Sequence, residues 1–178
     1  VDLTPGPDAA FDPEFSPDGT MIAHNRSPDN GPHAEIWIGV LNAARTAFVD
    51  AWALTGRGYV AAEVDPTWSP DGARIAYSSY DGPGIWFTEG IDPALGLTWR
   101  IYGMEVNPAG RRGTNRRVLV DAVAEANTVS WLPGYSPDGG QLAFIRSTFN
   151  PAAWPGGYPF GTASSRLCVA NADGTGQR

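Results

Sequence analysis

The side chains of this 178-residue chain that could carry chemistry are few. There are two histidines, His24 and His33, and one cysteine, Cys168. Three serines, Ser16, Ser69 and Ser136, each stand two residues before an aspartate: Asp18, Asp71 and Asp138. Nucleophilic catalysis needs a Ser or Cys beside a base that is itself oriented by a third group. No Gly-x-Ser-x-Gly elbow supplies one, and Ser136 lies in Gly-Tyr-Ser-Pro-Asp. Two His and one Cys without ligand spacing argue against zinc. The acidic turn Asn171-Ala172-Asp173-Gly174 lacks the alternating carboxylates of a calcium loop. Phosphate-cradling and dinucleotide glycine motifs do not occur either. The expectation is a chain with no catalytic residue, no metal and no cofactor.

Binding chemistry is better represented. Tyr80, Trp86, Phe87 and Trp99 lie in one Pro/Gly-rich stretch, 80–99, and Phe149, Trp154, Tyr158 and Phe160 in another, 148–165. Large rings with few charges are what a partner-binding surface tends to contain. Three readings stay open for them: small satellite clusters beneath their own loops, a protein contact, or a site for a glycan or other small ligand. Trp86, Phe87, Trp99, Trp154, Tyr158 and Phe160 are the candidate partner-binding residues. A second feature, Arg111-Arg112-Gly113-Thr114-Asn115-Arg116-Arg117, reads either as a clamp for an anionic partner or as a solvated turn.

The elements that would position these residues are announced by one phrase used three times: Ser16-Pro17-Asp18-Gly19, Ser69-Pro70-Asp71-Gly72 and Ser136-Pro137-Asp138-Gly139. Pro presets φ for the first central position, Asp bonds backbone two residues on, and Gly accepts the positive φ that closes a hairpin. An aromatic precedes each Ser: Phe15, Trp68 and Tyr135. Behind each turn, Ile22, Ile75 and Leu142 share a strand face with His24, Tyr77 and Phe144, while Ala23, Ala76 and Ala143 point the other way. A large apolar face backed by a small residue predicts a strand packed on both sides.

These phrases resemble the PD40 or TolB-like β-propeller repeats, whose signature is similar to residues 65–77 and whose Asn-Ala-Asp-Gly-Thr-Gly hairpin is similar to residues 171–176. The resemblance implies an all-β fold: a propeller segment of about three four-stranded antiparallel blades, part of a ring of about six to eight. Blade one is expected at about 5–55, with strands near 13–16, 20–25, 35–40 and within 46–55. Blade two is expected at about 60–120, with strands at 66–69, 73–79, 100–106 and near 116–120, in preference to a third strand at 85–88. Blade three is expected at about 129–178, with strands at 129–136, 140–147 and 166–171 and its outer strand missing. Residues 1–4 read as the tail of a preceding blade, and ring closure is expected from further blades or other subunits. Cys168 takes the strand position of Trp37 and Tyr102, which predicts a buried thiol, and His24 takes that of a core aromatic. From Ser16 to Ser69 to Ser136 the spacing exceeds the usual period of about 40 to 45 residues for a four-stranded blade. Most of the excess lies between second and third strands, a connection that emerges on the same face in every blade.

Composition bounds the partners. With 22 Gly and 16 Pro the chain is turn-rich, and 42% hydrophobic content suffices for a core. A net charge of −7 argues against nucleic acid held by phosphate contacts. No apolar run reaches the length of a membrane span. The sequence therefore predicts a non-catalytic binding or scaffolding module for a protein partner, with a glycan as a further possibility. The resemblance to repeats of exported proteins implies a periplasmic or extracellular location. The rival reading is the substrate-gating propeller of a prolyl-oligopeptidase-like serine hydrolase whose catalytic domain lies outside this chain.

Overall fold

The computed structural model describes residues 1–27, 34–56, 62–80, 99–121, 128–149 and 162–178. Three antiparallel sheets hold all eleven of their strands. The first contains β1 (Ala9–Phe15), β2 (Met21–Ser27), β3 (Glu35–Leu41) and β4 (Phe48–Ala53). The second contains β5 (Ala62–Trp68), β6 (Arg74–Tyr80), β7 (Trp99–Asn107) and β8 (Arg112–Val120). The third contains β9 (Thr128–Tyr135), β10 (Gln141–Phe149) and β11 (Thr162–Asn171). Each strand pairs with its neighbour in the chain, so each sheet is an up-and-down blade. The third sheet has three strands among the described residues, and Arg178 lies along its β11 edge, exchanging two 2.9 Å backbone bonds with Val169. The third strand of blade two is Trp99–Asn107, and 85–88 lies outside the described residues.

The three turns are built alike. Each Ser hydroxyl donates to its Asp carboxylate at 2.6 Å, and accepts the N–H of Met21, Arg74 or Gln141 at 2.9 Å. Gly19, Gly72 and Gly139 adopt φ of 69°, 70° and 72°, which a side chain would strain. The turns also touch in sequence: a Cβ on Gly72 would meet Pro17 at 3.8 Å, and one on Gly139 would meet Pro70 at 3.4 Å.

Inner strands start earlier than expected, at Ala9 and Ala62, because a bulge carries the chain past the Asp-Pro pair instead of ending the strand there. Asp12, Asp65 and Leu132 occupy the same place in their blades, with φ of 50°, 53° and 52°. Asp tolerates this left-handed conformation; Leu does so at a cost of about 1 kcal/mol.

The core lies in two seams. Between blades one and two, Ala23, Ile36, Ile38, Trp52 and Leu54 pack against Trp68, Ile75, Tyr77, Tyr102 and Met104. Between blades two and three, Ala76, Ile101, Leu119 and Val120 pack against Leu142, Phe144, Cys168 and Ala170. The small residue of one blade faces the large residues of the next, as the alternation predicted. Cys168 is buried opposite Phe144, in the register position of Trp37 and Tyr102.

Polar ties reinforce the first seam. Trp68 Nε1 donates to the Glu14 carbonyl at 3.3 Å, Gly113 N to Leu54 O at 3.1 Å, and Glu63 N to Ala34 O at 2.9 Å. Arg116 runs across the face of blade two: its Nε donates to the Tyr77 hydroxyl at 2.8 Å, its guanidinium lies 3.6 Å from the Tyr102 ring centroid, and it pairs with buried Glu63 at 3.5 Å. Burial works against its charge, but Tyr77 and Glu63 outweigh it and hold the guanidinium above its ordinary pKa. Arg111 is engaged too, with Asp50 and with Ala51 O. The arginine run, expected as one turn, thus lies mainly in β8; Arg111 pairs with Asp50 of blade one and Arg116 crosses its own sheet to Glu63. Breaking the buried pair from one side strands a charge. Glu63→Gln is expected to cost about 3–5 kcal/mol in urea unfolding, and Glu63→Leu with Arg116→Met far less; a loss under about 1 kcal/mol for Glu63→Gln would show the pair to be idle.

His24 is buried, stacked on Phe48 at 5.9 Å, and its Nδ1 has no partner. Burial, then the nearby Arg26 charge, lower its pKa from 6.5 to about 4. The unfolded imidazole therefore binds a proton at a pH where the folded one does not. Stability from this site is complete above about 6.5 and is lost as pH falls toward 4. His24→Phe, matching Tyr77 and Phe144, should flatten the pH dependence of chemical unfolding over that window, by on the order of 2 kcal/mol at its acid end. An unchanged slope would refute the assignment.

Candidate partner-binding face

The up-and-down course of every blade divides the molecule into two faces. The Ser-Pro-Asp-Gly turns and the hairpins β3–β4 and β7–β8 lie on one. On the other, β2, β6 and β10 end, β3, β7 and β11 begin, and the outer strands β4 and β8 hand over to β5 and β9. Every described strand end that flanks 28–33, 57–61, 81–98, 122–127 or 150–161 is on this second face. The sequence reading expects its aromatic insertions on this face; 81–98 and 150–161 lie outside the described residues.

Of the candidate residues, Trp99 is described. It opens β7 as the Cα partner of Tyr80, the last residue of β6; the two rings stand 5.6 Å apart, tilted by 39°, over buried Ala62. Tyr80 is buried and Trp99 half-buried. This pair brackets the 81–98 connection with a rigid aromatic base. Trp86, Phe87, Trp154, Tyr158 and Phe160 lie outside the described residues. The same rim carries three ion pairs: Arg26–Asp8 at 2.6 Å, Arg100–Asp121 at 3.0 Å and Arg116–Glu63.

The hub, where β1, β5 and β9 approach one another, has its own polar cluster. Asn25 Nδ2 donates to Asp12 Oδ2 at 3.0 Å and to Phe11 O at 2.8 Å. One blade on, Ser78 sits in the register position of Asn25 and hydrogen-bonds Asp65, while its hydroxyl accepts the Leu132 N–H at 3.0 Å. Asp65 with Ser78 thus holds the backbone of the following blade. In blade three both positions turn apolar together, to Leu132 and Ile145. The sequence signal for this was the Asp-Pro pair, read only as the lead-in to a strand.

Among the described residues no serine or cysteine stands beside an imidazole in hydrogen-bond reach. The three turn serines bond aspartate and backbone, with no imidazole beside them, and their hydroxyls hold Asp18, Asp71 and Asp138 below the usual carboxylate range. Among the described residues no three His, Cys, Asp or Glu converge as metal ligands, and no helix is long and apolar enough to cross a membrane. A narrow cleft between blades two and three, lined by Arg74, Glu105, Asn115, Arg117 and Tyr135 around Gly103, has a cavity volume of about 20 Å³, room for about one water molecule rather than a drug-sized ligand.

Asp65 is the titrating group of the hub. Burial pushes its pKa up from 3.8 to about 6, the Ser78 bond opposes this, and the Asp12 charge adds to it. The folded state then holds a proton that the unfolded state has released. The contribution is full below about 3.8 and is lost as pH rises through about 6. Asp65→Asn keeps a side chain that tolerates positive φ and removes the charge. It should raise stability at pH 7 by on the order of 1 kcal/mol and leave stability near pH 4 unchanged; an equal shift at both pH values would sink the titration argument.

No protein-family model matches the chain, and no curated protein matches it in sequence. Solved structures do match its fold. A protein described as TolB from Agrobacterium tumefaciens superposes with a TM-score of 0.63 at 16% identity, over 96% of this chain and 48% of that one. An oligogalacturonate lyase from Vibrio parahaemolyticus gives 0.58 at 16%, over 100% and 42%. Prolyl oligopeptidase B from Galerina marginata gives 0.56 at 15%, over 97% and 22%. The chain therefore has the TolB-like propeller fold and spans about half or less of the length of these structures.

Proposed function

We propose that this propeller segment is a non-catalytic binding module that engages a protein partner through the face opposite the Ser-Pro-Asp-Gly turns. The observation that carries this reading is the common face of the strand ends flanking 81–98 and 150–161, with the Tyr80–Trp99 pair as its rigid base. Rings presented on a stiff sheet cost little ordering entropy when a partner docks, and Trp and Tyr dominate the energetics of protein contacts. On the turn face, the serines and aspartates of the Ser-Pro-Asp-Gly turns are hydrogen-bonded to one another. Trp86, Phe87, Trp99, Trp154, Tyr158 and Phe160 are the proposed contact residues. A module of this kind acts as an accessory subunit of a larger extracytoplasmic assembly, a location that follows from the resemblance to repeats of exported proteins.

A second reading has one observation in its favour. The same fold forms part of prolyl oligopeptidase B, so this segment would gate substrate entry to a hydrolase domain. A Gly-x-Ser-x-Gly element encoded in the same gene decides for that reading.

The test compares the chain with its Trp86→Ala, Trp154→Ala double variant in affinity capture from an extract of the source cells, with thermal melting as the fold control. The module reading expects at least one protein to be captured by the native chain and reduced about tenfold or more, about 1.4 kcal/mol, with the variant. Identical capture by two equally stable proteins would overturn it.

A further inference from the structure

Each blade carries one guanidinium laid over an aromatic ring on its leading face, the face that bears Ile22 and His24, Ile75 and Tyr77, or Leu142 and Phe144. Arg26 lies 4.6 Å from the Trp37 centroid, Arg116 3.6 Å from Tyr102, and Arg146 5.3 Å from Phe144. Burying a guanidinium is tolerable where a carboxylate answers it. In blade one that carboxylate is Asp8, and in blade two it is Glu63. Blade three departs from the pattern: Arg146 donates to the neutral amide oxygen of Gln177 at 2.6 Å, and among the described residues no ion pair accompanies it.

The register explains what is missing. Glu63 is the Cα partner of Ser79, and the equivalent pair in blade three is Ser130 and Arg146. Ser130 therefore stands where blade two has its glutamate, and is shorter by the length of the carboxylate arm. Ser130 is fully buried, and its Oγ has no hydrogen-bond partner; neither has Arg146 Nε, which is buried as well. Two orphan polar groups, Ser130 Oγ and Arg146 Nε, thus stand at the place that a carboxylate fills one blade earlier.

We propose that the Ser130–Arg146 position, between blades two and three, is a binding site for a small monovalent anion of halide size. The ion accepts from the Ser130 hydroxyl and from Arg146 Nε–H, and takes the electrostatic role that Glu63 plays toward Arg116. A single blade thereby exchanges a built-in counterion for one drawn from solution. This makes the stability of the second seam depend on a solute that the first seam does not need.

The test is thermal melting of the chain during titration with sodium chloride, with ionic strength held constant by a bulky sulfonate salt. The native chain should show a saturable rise in Tm of a few degrees. Arg146→Gln should lose the rise. Ser130→Glu, which restores the blade-two arrangement, should melt near the chloride-saturated native value and ignore chloride. In crystals grown with bromide, an anomalous peak is expected between Ser130 and Arg146. A Tm indifferent to chloride, a response that survives in Arg146→Gln, or a bromide-soaked crystal with only water at the position would each overturn the proposal. The crystal and the Arg146→Gln variant decide the matter even where Ser130→Glu does not fold.

Discussion

Everything in this molecule depends on an alternation of size across a single strand. The second strand of each blade is flanked on both sides by protein wherever a neighbouring blade exists, and it meets that condition with Ile75 and Tyr77 on one face and Ala76 on the other. Ala23 and Ala76, both wholly buried, let the large residues of the following blade come close enough to exclude water. A sheet with two apolar faces is unstable alone, so each blade contributes half of a seam. The exposed Phe15 shows the same rule from its open side. It occupies the position of Trp68 and half-buried Tyr135, which rest on a preceding blade, and is 57% exposed.

That packing rule also decides which polar residues are left for function. Serine and aspartate at the turns are consumed by each other, and Asp65 with Ser78 is consumed in holding the next blade's backbone. Arg111 ties blade two to blade one through Asp50, and Arg116 crosses its own blade from β8 to Glu63 on β5.

Much of this was legible in the sequence because it is local. A turn declares itself in four residues, and the alternation of Ile, Ala and Tyr in three more. Even the burial of Cys168 could be read by aligning it with Trp37 and Tyr102. What escaped was set by distance or by register. The inner strands are expected to start just after Asp-Pro, near 13 and 66, yet the left-handed bulge at Asp12 and Asp65 lets the ladder continue back to Ala9 and Ala62. Nothing near Arg116 announces that it turns inward, since Glu63 lies on the far side of the same sheet. The paired change to Leu132 and Ile145 makes sense only once the two strands are seen in register. Trp99 could be picked out as one of several rings; its role as the base of a pair came from Tyr80 across the ladder.

The strict agreement between chain order and sheet order has a mechanical corollary. Every hydrogen-bonded ladder joins neighbours in the chain, and no strand threads between two others. Loop-closure entropy is therefore paid in small steps, and contacts form over short separations within each blade. Among the described residues the middle sheet is clasped on both faces, by one seam to blade one and another to blade three.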